Sequence, residues 1–144
     1  MASKDRADGH ATGMAGEFFV MERLFRLGTL PALTVGNAKA VDILVRTKNG
    51  RNMAVSVKAV RGSAGKWVVG TDDFCDQFDL IFVFLLYKNF QDLDTNPRAW
   101  IVPAAEVEKI KRPHITVGNF AVYNSRDSLE NLSQYENAWE TYFR

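Results

Sequence analysis

The chain has 144 residues, enough for one hydrophobic core and short for two. Its 47% hydrophobic and 24% charged residues match a soluble globular domain and exclude a disordered or fibrous protein. A net charge of +1 excludes a bulk positive field, so any polyanion has to be met by a local patch.

The single cysteine, Cys75, cannot form an internal disulfide and suits a reducing cytosol. Residues 1–13 lack the apolar stretch of a signal peptide, and the longest apolar run, 80–87, is far shorter than a membrane span. The expectation is a cytoplasmic protein with no membrane partner. Residues 1–12 read as a flexible leader, and 13–144 as a single domain.

From Met14 the pattern predicts a helix to Leu27, stopped by Gly28. Phe18, Met21, Leu24, Phe25 and Leu27 form its expected apolar face, opposite Glu22, Arg23 and Arg26. Glu17 falls within the apolar face, which is anomalous for a carboxylate. Pro31 breaks the chain, and 32–35 is a short candidate strand. Residues 41–45 and 54–59 are β-branched runs flanking a turn at 48–52. Asp42 sits near the start of the first run and Lys58 interrupts the second. A charge inside an apolar strand costs free energy unless it is paired or bound, so the two suggest a site.

Residues 61–66 form a small, basic loop before a strand at 67–69. Residues 72–79 hold four aspartates in a short helix or turn, without calcium-loop spacing. The run 80–87 is a central strand buried on both faces. A strand at 99–102 follows, then a helix over 104–111 with Pro103 in its first turn and Pro113 beyond its end. Residues 114–117 and 120–123 suggest a small hairpin. Asp127 and Glu130 form a capping box for a last helix, whose apolar stripe is Leu129, Leu132, Trp139 and Phe143. This order gives an α/β (α+β) domain around one mixed sheet.

Strand alternation puts Ser56 and Lys58 on one face. If the hairpin register brings Asp42 to that face, and the helix carrying Glu17 packs over it, four polar groups converge. Two carboxylates suit a hard divalent cation such as Mg²⁺, and a lysine beside it can meet phosphate charge. The plain alternatives are a structural Glu17–Lys58 ion pair and an Asp42 that merely caps a strand end. His10 and His114 are isolated, and Trp67 and Trp100 read as core or rim aromatics.

Gly13-x-x-Gly16-Glu17 opening a helix, then Val41-Asp42-Ile43-Leu44-Val45, then Val55-Ser56-Val57-Lys58, resembles the PD-(D/E)XK nuclease superfamily. The nearest flavour is that of small archaeal Holliday-junction resolvases. The resemblance implies a restriction-endonuclease-like αβββαβ core and phosphodiester hydrolysis dependent on Mg²⁺ or Mn²⁺, on DNA in preference to RNA. By position, Asp42 and Glu17 would be metal ligands and Lys58 the catalytic lysine. Ser56 stands at the fourth catalytic position, where the family carries Glu or Asp, sometimes Gln. Lys39, Arg61 and Lys66, with Arg46 or Lys48, form the expected phosphate-contacting patch. A homodimer is a further family-based expectation, with the last helix or the segment near Phe120 as its interface. The competing reading keeps the fold as an inactive module that binds nucleic acid or protein. A third makes the polar cluster structural and puts the function in the loops of 61–79.

Overall fold

A computed structural model describes residues 2–34, 41–70, 79–114 and 119–144, with side chains from Asp8 onward. Five strands form the main sheet: β1 (Leu30–Leu33), β2 (Ile43–Arg46), β3 (Asn52–Arg61), β5 (Asp79–Tyr87) and β6 (Arg98–Pro103). Their spatial order is β1-β2-β3-β5-β6. Only the β3–β5 pair is parallel, so the sheet is mixed as expected. The crossover between those two carries β4 (Lys66–Gly70), and residues 71–78 lie outside the described part. β4 joins β8 (Phe120–Tyr123) and the two-residue β7 (Arg112–Pro113) in a second, three-stranded sheet. The hairpin expected after 113 is thus built from 112–113 and 120–123.

β5 is buried almost throughout, and its alternating side chains serve two cores. On one face Ile81, Val83 and Leu85 meet Val20 and Leu24 of the first helix, α1 (Ala2–Arg26), and Phe143 near the C-terminus. On the other, Phe82, Phe84 and Leu86 meet Trp67, Trp100 and Val107, the last from α2 (Ala104–Ile110). Trp67 and Trp100 have no exposed surface, and Trp67 Nε1–H donates to the Leu85 carbonyl at 2.9 Å. Both tryptophans are core.

Three boundaries differ from the sequence reading. Pro31 lies inside β1 opposite Val45, tolerated because β1 is an edge strand. α1 starts at Ala2, so the residues read as a leader are helical. Thr12 is buried, its hydroxyl accepts from Arg61 Nε–H at 2.5 Å, and it donates to the Asp8 carbonyl at 2.7 Å. That anchor carries the helix back past Gly9 and Gly13.

The expected last helix is three pieces: α3 (Arg126–Asn131), a 3₁₀ turn (Ser133–Tyr135) and α4 (Trp139–Phe143). Its N-cap is Ser125, which accepts from the Ser128 N–H, in place of Asp127. The break has a cause in β6. Asn137 N–H donates to the Ala99 carbonyl, and Glu136 accepts two bonds from the Arg98 guanidinium at 2.8 and 3.0 Å. Asn137 takes a positive φ of 55° to make this turn. A helix through 136–137 would forfeit that cover on the edge of the sheet.

Candidate active site

β2 and β3 pair in the register Ile43↔Val55 to Arg46↔Asn52, and the ladder ends there. Asp42 N–H also donates to the Val55 carbonyl at 2.9 Å, so two residues of one strand oppose one of the other. This bulge turns Asp42 out of the alternation and into the plane of the strand edge. There its Oδ2 accepts the Val57 N–H at 2.7 Å, the next donor that a longer β2 would have used. Beyond that point no described strand pairs with β3 on this side. The exposed edge lines a cleft of about 310 Å³ between Gly13 of α1 and Lys66–Val68 of β4, with Lys58 on its wall.

α1 reaches this edge by close packing. A Cβ on Gly16 would sit 2.8 Å from Ala59 Cβ and 3.5 Å from Val57 Cγ1, so glycine lets the helix lie directly on β3. Glu17, the next residue, then meets Asp42. Burial, the Asp42 charge and a shared hydrogen bond raise the Glu17 pKa from 4.5 to about 7. A hydrogen bond between two carboxyls needs a proton on one of them, and the raised pKa of Glu17 lets it keep that proton well above the usual carboxylate range. Among the described residues no group of three His, Cys, Asp or Glu side chains comes together. The acidic cluster is these two.

The four residues expected to converge are placed in two pairs. Met53, Val55, Val57 and Ala59 face α1. Ser56 and Lys58 alternate with them, on the face of Ala54 and Val60. The expectation that α1 covers the Ser56 face is therefore corrected: α1 buries the larger apolar side chains of β3, and the register does the rest. Ser56 is completely buried, and its Oγ has no hydrogen-bond partner among the described residues. Asp42 is anchored on Val57, one residue from Lys58, so the carboxylates and the lysine straddle one strand edge. No Glu17–Lys58 ion pair forms among the described residues.

The basic patch is also redistributed. Lys66 lines the same cleft as Lys58, its Nζ 6.0 Å from the Tyr123 ring centroid. Arg61 is engaged within the fold, bonded to Thr12 and stacked 3.7 Å from the Phe90 ring centroid. It is a strap between α1 and the 88–92 segment, the structural use of a cation that the sequence reading assigned to phosphate. Arg46 and Lys48 lie at the opposite end of the β2–β3 hairpin from the cleft, and Lys39 falls outside the described residues. Two cations escaped the sequence reading. Lys88 and Arg126, both exposed and without an ion pair among the described residues, line a cavity of about 700 Å³ beside the Gly62–Gly65 loop. They come from segments far apart in sequence, Lys88 just after β5 and Arg126 at the start of α3, and no local pattern marks them.

No protein-family model matches this chain, and no curated protein sequence does. Among solved structures, a bacterial homing endonuclease, I-Ssp6803I, is similar over 92% of this chain and 90% of its own, with a TM-score of 0.54 and 13% identity. The chain shares that endonuclease's fold. At this identity the likeness is one of architecture: a mixed sheet flanked by helices, laid out alike over nearly the full length of both chains. Among the described residues no helix is long and apolar enough to cross a membrane.

Proposed function

We propose that this chain is a metal-dependent endonuclease that hydrolyses phosphodiester bonds in nucleic acid, DNA in preference to RNA. The observation that carries the reading is the Glu17–Asp42 pair, two carboxyls brought together and tied through the Val57 N–H to the strand edge whose Val57 and Lys58 line an open cleft. The fold shared with a homing endonuclease supports it at the level of architecture.

Two carboxylates held in contact repel unless a proton or a cation sits between them. Mg²⁺ or Mn²⁺, with its preference for carboxylate oxygens and retained waters, fits this donor set. Glu17 and Asp42 would hold it, and it would supply a water of lowered pKa and a counter-charge for the phosphate. The chain's own groups do the rest. The Val57 N–H fixes Asp42, and Gly16 fixes the height of Glu17 over β3. Glu17 gives up its proton as the pair takes on charge. Lys58 reaches a phosphate oxygen from the strand edge and favours the extra negative charge that develops there. Lys66 in the same cleft, with Lys88 and Arg126 of the larger cavity, would orient the backbone of the nucleic acid. Ser56 adds no charge, so the site runs on two carboxylates where the superfamily it resembles carries a further acidic residue.

The buried, unpartnered Ser56 favours a second reading, an inactive member of the fold that binds without cleaving. Incubation with supercoiled plasmid, single-stranded and branched DNA, each with Mg²⁺ or Mn²⁺, separates the two. Cleavage that is lost in Asp42→Ala supports the nuclease. Binding of the same substrates in EDTA, with no cleavage above the Asp42→Ala control, selects the binding module.

A further inference from the structure

At about 700 Å³ the cavity beside the Gly62–Gly65 loop is more than twice the size of the 310 Å³ cleft at Lys58. Small-molecule sites occupy roughly 300–1,000 Å³, so it can take more than a lone ion. The loop that walls it is pinned by backbone bonds at both ends and in the middle. Gly62 N–H donates to the Tyr87 carbonyl at 2.6 Å, Ala64 N–H to the Arg61 carbonyl at 3.1 Å, and Asn124 N–H to the Gly65 carbonyl at 3.0 Å. Gly62 takes a positive φ of 56° to enter this turn. The fold therefore sets the wall before any ligand arrives.

The lining divides by chemistry. Leu86 and Leu129 give it apolar surface. Lys88 and Arg126 are exposed cations with no ion pair among the described residues. Glu136 is taken by Arg98, whose guanidinium also lies 4.7 Å from the Trp100 ring centroid. Glu130 is the lining carboxylate left without a cation among the described residues, so two free cations stand against one free carboxylate. Asn124 supplies an independent observation. Its Nδ2 is buried and has no hydrogen-bond partner among the described residues. Buried donors are normally satisfied, and one carried by a residue of a cavity wall points to an acceptor supplied from outside the fold.

An inorganic anion would engage the two cations and leave the leucines and the amide unused. A nucleotide engages all three: its phosphate meets Lys88 and Arg126, its base lies against the leucines, and an acceptor on the base edge meets the Asn124 amide. A base inside a duplex is stacked and paired, so the nucleotide that enters has to be unpaired. We infer that this cavity is a binding pocket for one unpaired nucleotide of a nucleic acid strand. Gly65 lines the pocket and Lys66, the next residue, lines the cleft. A strand seated in the cleft thus delivers a neighbouring nucleotide to the pocket. Under the nuclease reading, on which this last step rests, the preferred substrate carries a bulge, an overhang or a single strand beside the cleaved bond. The pocket itself needs no cleavage.

Binding in EDTA tests the pocket apart from the chemistry. By fluorescence anisotropy, a short labelled DNA duplex with one unpaired nucleotide should bind more tightly than the same duplex fully paired, by about fivefold or more. Asn124→Ala, which keeps the backbone bond to Gly65, and Lys88→Ala/Arg126→Ala should each abolish that preference. In the ¹⁵N-labelled wild type, deoxyadenosine 5′-monophosphate should shift the Asn124 side-chain amide signals, and inorganic phosphate alone should not. Equal affinities for the two duplexes, or no binding to either, overturn the pocket. So does a preference that survives both variants, or phosphate alone shifting the Asn124 signals as the nucleotide does. If a variant fails to fold, the wild-type spectra still decide. An intact preference without metal-dependent cleavage would uphold the pocket and strike the nuclease reading alone.

Discussion

Ser56 is where the chemistry of one atom matters most. Its hydroxyl is buried without a partner among the described residues, and such a group costs about 1–3 kcal/mol relative to a satisfied one. Ser56→Ala is therefore expected to leave stability unchanged or to raise it by up to ~1 kcal/mol, seen as a thermal midpoint that rises by a few degrees at most. A clear fall in midpoint would reveal a hydrogen bond to Ser56 in solution. Glu17 gives a second residue-scale expectation. Its folded pKa of about 7 exceeds the unfolded 4.5, so the folded state binds more protons between those values. Stability in metal-free buffer should then fall as pH rises from about 4.5 to 7 and level off above, and Glu17→Gln should remove that slope. Urea midpoints at half-unit pH steps measure it. A wild-type profile that rises through the same window contradicts the carboxyl pair.

At the scale of elements, the site depends on how closely α1 lies on β3. In an ordinary helix interior Gly→Ala stabilises by roughly 0.5–1 kcal/mol. At Gly16 the added Cβ meets Ala59 at 2.8 Å and Leu85 at 3.2 Å, and overpacking of that kind costs about 1–3 kcal/mol. The clash wins, so Gly16→Ala should be net destabilising and should reduce cleavage more than stability alone explains, because Glu17 rides on the same turn. Chemical denaturation beside a rate measurement below the transition checks both parts. The C-terminal pieces are ranked by the same reasoning. The Arg98–Glu136 pair is partly exposed and is worth about 1 kcal/mol or less, whereas Phe143 is fully buried and its truncation costs about 3–5 kcal/mol. Phe143→Ala should lower the urea midpoint several times more than Glu136→Ala. Equal effects would mean that the ion pair, and not the aromatic core, holds α4.

For the molecule as a whole, strands were legible and helix ends were not. Continuous runs such as 80–87 and the alternation around Val55 and Val57 are set by neighbours in sequence, and β3, β5 and β6 appear where the pattern put them. The break at 136–137 is set by β6, nearly forty residues earlier in the chain, and no local signal carries it. The site shows the same division. Glu17, Asp42 and Lys58 stood out as charges in apolar runs, but which face each takes depends on a bulge at Asp42 and on the bare backbone of Gly16. Arg61 looked like a phosphate ligand and is a strap, because Phe90 and Thr12 reach it only after folding. Phe18 and Phe25 fell within the expected apolar face but are exposed, because Thr12, Gly16, Val20 and Leu24 are the residues of α1 that bury against the sheet.

In the proposed mechanism Glu17 and Asp42 would jointly hold a divalent cation beside Lys58. Single-turnover cleavage of plasmid DNA across a Mg²⁺ titration, for the wild type, Asp42→Asn, Glu17→Gln and Lys58→Met, tests it most directly. The predicted result is metal-dependent cleavage in the wild type and a loss of at least a hundredfold in Asp42→Asn. Glu17→Gln should need more Mg²⁺ for half-maximal rate, and Lys58→Met should lower the rate at saturating Mg²⁺. Cleavage that is independent of the metal, or unchanged in Asp42→Asn, would contradict it.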